Sequence, residues 1–105
     1  MRRGEIRWYR FRQPDKRPPV LILTRDASHD FLNEVTIAPV TSTVRDVPSE
    51  VALGSADGMP CDCAVNLHHV QTVPKQRIGG LITTLSAPRM ADVRSALLFA
   101  LGFDR

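Results

Sequence analysis

Glu34-Val35-Thr36-Ile37-Ala38-Pro39-Val40-Thr41-Ser42 is the stretch on which the fold turns. Its apolar, β-branched run predicts a strand over Glu34 to Thr41, and Pro39 implies an edge or a bulge near its end. Upstream lies Lys16-Arg17-Pro18-Pro19, which runs into Val20-Leu21-Ile22-Leu23-Thr24, a buried central strand. If these two strands pair antiparallel, the start of one lies beside the end of the other. The Arg17 guanidinium then comes near the hydroxyls of Thr41 and Ser42. A fork of fixed positive charge next to two hydroxyl donors suits a phosphate group. Pro18 restricts Arg17 to extended backbone, which steadies it.

Working outward, prolines and glycines cut the chain into short pieces. Strands are expected at Glu5 to Phe11, Ser49 to Leu53, Cys63 to Leu67, Val70 to Val73 and Ile78 to Leu85. In the first of these, Ile6 and Trp8 face one way and Arg7 and Tyr9 the other, with Trp8 expected in the core. Arg25 to Asn33 reads as a loop or helical turn that Asp26 or Ser28 could cap. The one helix comes last. Ser86 caps it, Pro88 sits in its first turn, and it runs to Leu101 before Gly102. Met90, Val93, Leu97 and Leu101 recur at helical spacing as its buried stripe. The expected class is α+β, mainly β: a single domain over 1–105 in which short antiparallel strands carry a terminal helix packed on the sheet.

At 43% hydrophobic and 24% charged residues, the composition of the 105 residues is that of a globular chain. No apolar run is long enough to cross a bilayer and no apolar segment follows the N-terminal arginines, so no membrane association and a cytoplasmic location are expected. The net charge of +3 is unevenly spread. Residues 1–17 carry seven basic groups and two acids, whereas residues 18–105 carry seven basic groups and nine acids. A basic segment on an otherwise near-neutral domain is the footprint of a polyanion binder. Cys61 and Cys63 are too close for an unstrained disulfide. With His68 and His69 they match no common zinc spacing, so neither a metal nor another cofactor is expected.

RNA can be cleaved without a metal when its own 2′-hydroxyl attacks the phosphate. Such an enzyme must hold the phosphate, offset charge on its oxygens and help move two protons. Arg17 meets the charge requirement, and Thr41 with Ser42 can donate hydrogen bonds to the same group. His68-His69, flanked by Asn66 and Gln71, supplies side chains that titrate near neutrality. Trp8, Tyr9 and Phe11 alternate with Arg7, Arg10 and Arg12, a pattern suited to stacked bases and paired phosphates. There is no glycine-rich phosphate loop, no Gly-x-Ser-x-Gly and no His-Glu-x-x-His.

Taken in order, these segments resemble the MazF/PemK (Kid-like) toxins of bacterial type II toxin–antitoxin systems. The likeness runs from Arg2-Arg3-Gly4-Glu5-Ile6 through Arg17-Pro18-Pro19-Val20-Leu21-Ile22-Leu23 and Ala38-Pro39-Val40-Thr41-Ser42. It continues through Val65-Asn66-Leu67-His68-His69-Val70-Gln71-Thr72-Val73 to Leu85-Ser86-Ala87-Pro88-Arg89-Met90. The resemblance implies a compact SH3-like antiparallel sheet or barrel with a C-terminal helix, and a homodimer. It implies a sequence-specific, metal-independent endoribonuclease acting on single-stranded RNA, leaving 2′,3′-cyclic phosphate and 5′-hydroxyl ends. It further implies an antitoxin partner, with DNA reached only through the antitoxin complex. The family's catalytic arginine falls on Arg17 and its strand-end threonine on Thr41. Gln13, Ser42, Asn66, His68, His69 and Gln71 fall where members bind substrate. Members often carry an acid and a glutamine where this chain has His68-His69, an arginine in place of Gln71, and a longer loop before the arginine. These departures leave His68 or His69 as candidate acid–base partner of Arg17. The same fold also serves CcdB-like toxins, which bind DNA gyrase and lack nuclease activity. That is the alternative reading, beside a degenerate toxin that only binds RNA.

Overall fold

The computed structural model describes residues 1–10, 18–26 and 31–104. Seven strands precede one helix: β1 Glu5–Tyr9, β2 Pro19–Ile22, β3 Glu34–Thr41, β4 Glu50–Leu53, β5 Cys63–Asn66, β6 Gln71–Pro74, β7 Ile78–Thr84 and α1 Ala87–Leu101. The strands are antiparallel in the order β4-β5-β3-β2-β1-β7, with β6 also paired to β3. This is the mainly β architecture with a terminal helix that the sequence implies.

β3 organises the sheet because it is twice the length of β2, β5 or β6 and pairs with all three. One edge meets β2. The other meets β6 along Glu34–Ile37 and β5 along Val40 and Thr41. Pro39 falls at the handover between these two ladders. Leu23 N donates to Thr36 O, so even-numbered residues of β3 turn their backbone groups toward β2. The missing N–H of Pro39 therefore faces the gap between β6 and β5, where no bond is lost. The proline that reads as an edge or bulge marks a change of partner inside a central strand.

Alternation on β2 and β3 divides the buried side chains between two faces. Leu21, Ala38 and Val40 join Ile6, Leu53, Val65, Leu67, Val93 and Ala96 in the larger cluster, beneath α1. Val20, Ile22, Val35 and Ile37 join Tyr9 and Val73 in a smaller cluster on the other face. Ile6 and Tyr9 of β1 thus serve opposite faces, as expected. Trp8 does not behave as a core residue: it is 41% exposed and belongs to neither cluster. β1 has register shifts against β7 on either side of Arg7, which breaks the simple alternation at its end.

α1 begins and ends where its caps dictate. The Ser86 hydroxyl accepts from Arg89 N at 3.3 Å, and Gly102, at φ 78°, returns its N–H to the last turn. The buried line is Val93 and Ala96, with Met90, Leu97 and Ala100 packed beside them, whereas Leu101 is 58% exposed. The small Ala96 and Ala100 let the helix sit close to the sheet, and Leu101 lies past the covered face. The Asp57 carboxylate grips Arg89 at 2.8 Å and 3.3 Å, tying the start of α1 to the turn after β4. Gly58 closes that turn at φ 85°, against the Thr83 hydroxyl, with no room for a Cβ. Asp26 accepts from Arg3 N at 2.7 Å, fastening the N-terminus, and part of the turn that it or Ser28 was expected to cap, Ser28 included, lies outside the described residues. Among the described residues no helix is long and apolar enough to cross a membrane.

Candidate active site and nucleic-acid interface

The β2–β3 register decides the first site. Val20 lies opposite Pro39, Leu21 opposite Ala38 and Ile22 opposite Ile37. Two residues further toward the start of β2, continuation of that register would bring Pro18 level with Thr41. The expected antiparallel pairing of the two segments is present over Val20 to Ile22, opposite Ile37 to Pro39. Arg17 and Gln13 lie outside the described residues. Thr41 is half-buried and held by pairing with Ala64 of β5. Its Oγ1 accepts from Thr43 N at 3.1 Å, which orients the hydroxyl and leaves its proton free to donate. Ser42 follows as an exposed residue.

The second site is a cleft of about 350 Å³ between the β5–β6 connection, the segment before β4 and the last turns of α1. Asn66, His68, His69, Glu50, Arg45 and Phe99 are among its walls. A single 3-10 turn, Leu67–His69, links β5 to β6. Asn66 caps it, with Oδ1 accepting from His68 N at 3.0 Å and Nδ2 3.3 Å from His69 Nδ1. Leu67 is buried and anchors the turn, while both imidazoles are exposed, 6.5 Å apart between ring centroids. Gln71 leaves this group: it opens β6 opposite Ile37, exposed and away from the cleft walls.

Thr41 is not among the described walls of the histidine cleft. Along β3, Val35 and Ile37 serve the smaller cluster and Ala38 and Val40 the larger one. Thr41 continues the odd series, so its side chain leaves the face opposite α1, whereas the cleft is walled by Phe99 of α1.

Charge is organised along the same molecule. Arg7 is spent on Glu5 at 2.8 Å and on the Gly79 carbonyl at 3.0 Å. Partial burial pushes the Glu5 carboxyl up, but hydrogen bonds from Arg7 and Arg2 N, with the Arg7 charge, outweigh it and hold it below the usual range. Arg10 and Arg77 face each other across β1 and the turn before β7. Arg10 N donates to Arg77 O at 2.9 Å, and Arg10 Nη2 reaches Gln76 O at 3.0 Å. No described carboxylate pairs with either, so both keep guanidinium donors for an anion. This pairing escapes sequence reading because its members are 67 positions apart. Phe99, Arg45 and Glu50 were likewise hidden, since only tertiary packing brings them to the histidine turn. Cys61 is an exposed thiol and Cys63 a buried one, and burial pushes the Cys63 thiol up. Among the described residues no cluster of three His, Cys, Asp or Glu side chains forms.

A seven-stranded antiparallel sheet closed by one helix, with a polar Thr-Ser pair at the end of its longest strand, is the architecture of the described residues. The chain belongs to the PemK-like, MazF-like toxins of type II toxin–antitoxin systems, whose family model matches residues 2–101. It is 35% identical over 103 residues to the probable endoribonuclease MazF2 of Mycobacterium tuberculosis, covering 97% of this chain and 99% of that one. Among solved structures, the Mycobacterium tuberculosis toxin MazF-mt6 superposes with a TM-score of 0.86 at 33% identity, covering 96% of this chain and 99% of that one. An endoribonuclease in complex with its cognate antitoxin, from a mycobacterial species, also superposes with a TM-score of 0.86, at 25% identity over 97% of this chain and 95% of that one.

Proposed function

We propose that this protein is the RNA-cleaving toxin of its antitoxin pair, a metal-independent endoribonuclease acting on single-stranded RNA. The observation that carries this reading is the antiparallel β2–β3 register, whose continuation past Val20 and Pro39 would bring the Arg17-Pro18 segment to the Thr41 end of β3. Relatives that bear the name endoribonuclease support the chemistry.

In the proposed reaction the RNA 2′-oxygen forms a bond to phosphorus and the bond from phosphorus to O5′ breaks. The 2′-hydroxyl loses its proton and O5′ gains one. Products are a 2′,3′-cyclic phosphate and a 5′-hydroxyl. Arg17 offsets the negative charge that grows on the non-bridging oxygens, and the Thr41 hydroxyl donates to one of them. Ser42 extends the contact along the backbone. Gln13, Asn66, His68, His69 and Gln71 contact substrate on either side of the scissile phosphate. The chain acts as a single domain over 1–105, as a homodimer in the cytoplasm, and a cognate antitoxin masks the RNA surface. The neighbour solved with its antitoxin supports that partner. DNA is reached only through the antitoxin complex.

Purified protein incubated with RNA in EDTA should produce 5′-hydroxyl ends at a recurrent sequence, and its induction should stop growth. Arg17→Ala should lose both, with a rate loss of about 100-fold or more. A fully toxic Arg17→Ala variant would sink the mechanism. Growth arrest without RNA cleavage, reversed by excess DNA gyrase, would replace it with the CcdB-like reading. Light scattering at micromolar concentration should give twice the chain mass.

A further inference from the structure

Asn66 is 7% exposed, and both ends of its amide are committed. The His68 backbone N–H, 3.0 Å away, can only donate, so it requires the amide oxygen. Turning the amide over would set two donors against each other. The NH₂ group therefore faces His69 Nδ1 at 3.3 Å. That group also only donates, so Nδ1 must present its lone pair, and the neutral ring carries its proton on Nε2.

With Nδ1 engaged by Asn66, the ring turns Nε2–H outward as a hydrogen-bond donor, fixed in direction by a buried neighbour. The other charged or titratable groups on the cleft walls are Arg45, Glu50 and His68. The Glu50 carboxylate is turned toward the Arg45 backbone, which donates to it at 2.9 Å.

We propose that Asn66 is a positioning residue that locks His69 in the tautomer with Nε2–H as its outward donor, and that this donor reads an acceptor atom on a nucleobase of RNA lodged in the cleft. The His68, His69 and Phe99 rings give the cleft aromatic walls, and Phe99 is 45% exposed. Unstacked single-stranded bases are held by stacking on such rings and read by hydrogen bonds to their edges. The inference rests on the reading that RNA is the substrate, and it assigns the His69 side of that substrate to recognition rather than catalysis.

Two measurements test it. Nitrogen-15 spectra of the wild-type side chains near neutral pH should show His69 protonated on Nε2 alone. Asn66→Asp keeps an oxygen for the His68 N–H but replaces the NH₂ by an acceptor, so the His69 proton should move to Nδ1. Cleavage of RNA oligonucleotides varied one base at a time should then lose about tenfold or more of its discrimination at one position. His69→Leu should do the same, chiefly through KM. His69→Gln, which restores an N–H, should recover part of the preference with kcat within about tenfold of wild type. Wild-type His69 protonated on Nδ1 would overturn the lock. A base preference unchanged in Asn66→Asp, or a His69→Gln variant that loses a limb of the kcat–pH profile with a large fall in kcat, would overturn the recognition role. If the wild type cuts no RNA, the substrate reading fails and the nucleobase with it, whereas the spectra still decide the lock.

Discussion

The strand-end corner at Thr41 and the cleft at Asn66 are built in different ways. The corner is made by backbone: Thr41 is held by pairing with Ala64, and β2 pairs with β3 up to Pro39. Apart from the bond that the Thr41 hydroxyl accepts from Thr43 N, its frame is backbone pairing. The cleft is made by side chains: a buried amide caps a 3-10 turn, orients an imidazole, and is roofed by a helix residue. A change at the corner should therefore alter chemistry and spare the fold, whereas a change at Asn66 should alter both.

The largest separation should come from Thr41→Val, which removes the hydroxyl and keeps the β-branched shape that suits a strand. Losing one preorganised donor to a developing anion costs about 100- to 1,000-fold in kcat. The stability change should stay within about 0.5 kcal/mol, because the ladder to β5 is untouched. Single-turnover cleavage set beside urea denaturation reads both quantities. Equal losses of activity and stability would break the contrast.

Asn66→Ala should behave in the opposite way. It strips the His68 N–H of its acceptor and leaves a void beside Leu67, which is 1% exposed. Loss of a cap together with a buried hydrogen bond should cost about 2 kcal/mol, read as a lower urea midpoint at unchanged slope. Asn66→Asp, which keeps the cap oxygen, should recover most of that stability without recovering base preference.

How legible these features were in the sequence follows the same division. The strands, the capped helix and the antiparallel pairing of β2 with β3 could be read because period, caps and antiparallel order are properties of short segments. Trp8 and Leu101 were misplaced because periodicity tells which way a side chain points and not whether anything covers it. Pro39 was legible as an exception, but its reason depends on β6 and β5 sharing one edge of β3. Asn66, His68 and His69 were recognisable as a polar group, yet the lock on His69 depends on the 3-10 turn that interrupts two strands. The Arg10–Arg77 pairing lies just past one end of the β1–β7 ladder, joins residues far apart in sequence and leaves no local trace.

A smaller effect concerns how α1 is seated, since Phe99 near its far end walls the cleft. The Arg89 hydrogen bonds, then the Gly54 N–H, hold the Asp57 carboxyl below its usual 3.8. A depressed folded value means that Asp57 contributes stability above the unfolded pKa, and that this contribution is lost as pH falls through the folded one. Thermal melts from pH 7 downward should therefore show an added loss below about 3.8, which Asp57→Asn should flatten while melting lower at pH 7. An unchanged acid profile in that variant would show that the helix is seated by apolar packing alone.

The smallest effect is expected at the first residue before that helix. Ser86 accepts from Arg89 N at 3.3 Å, so Ser86→Ala should cost about 1 kcal/mol. Pro88 and the Asp57 grip on Arg89 already favour the first turn, which places the loss toward the low end of that scale. The helix stays docked through Val93 and Ala96, so the His69 resonances and the base preference should not move. If Ser86→Ala shifted them as far as Asn66→Ala does, the cleft would depend on the whole length of α1. The contrast between a corner built by backbone and a cleft built by its own side chains would then have to be redrawn around the helix.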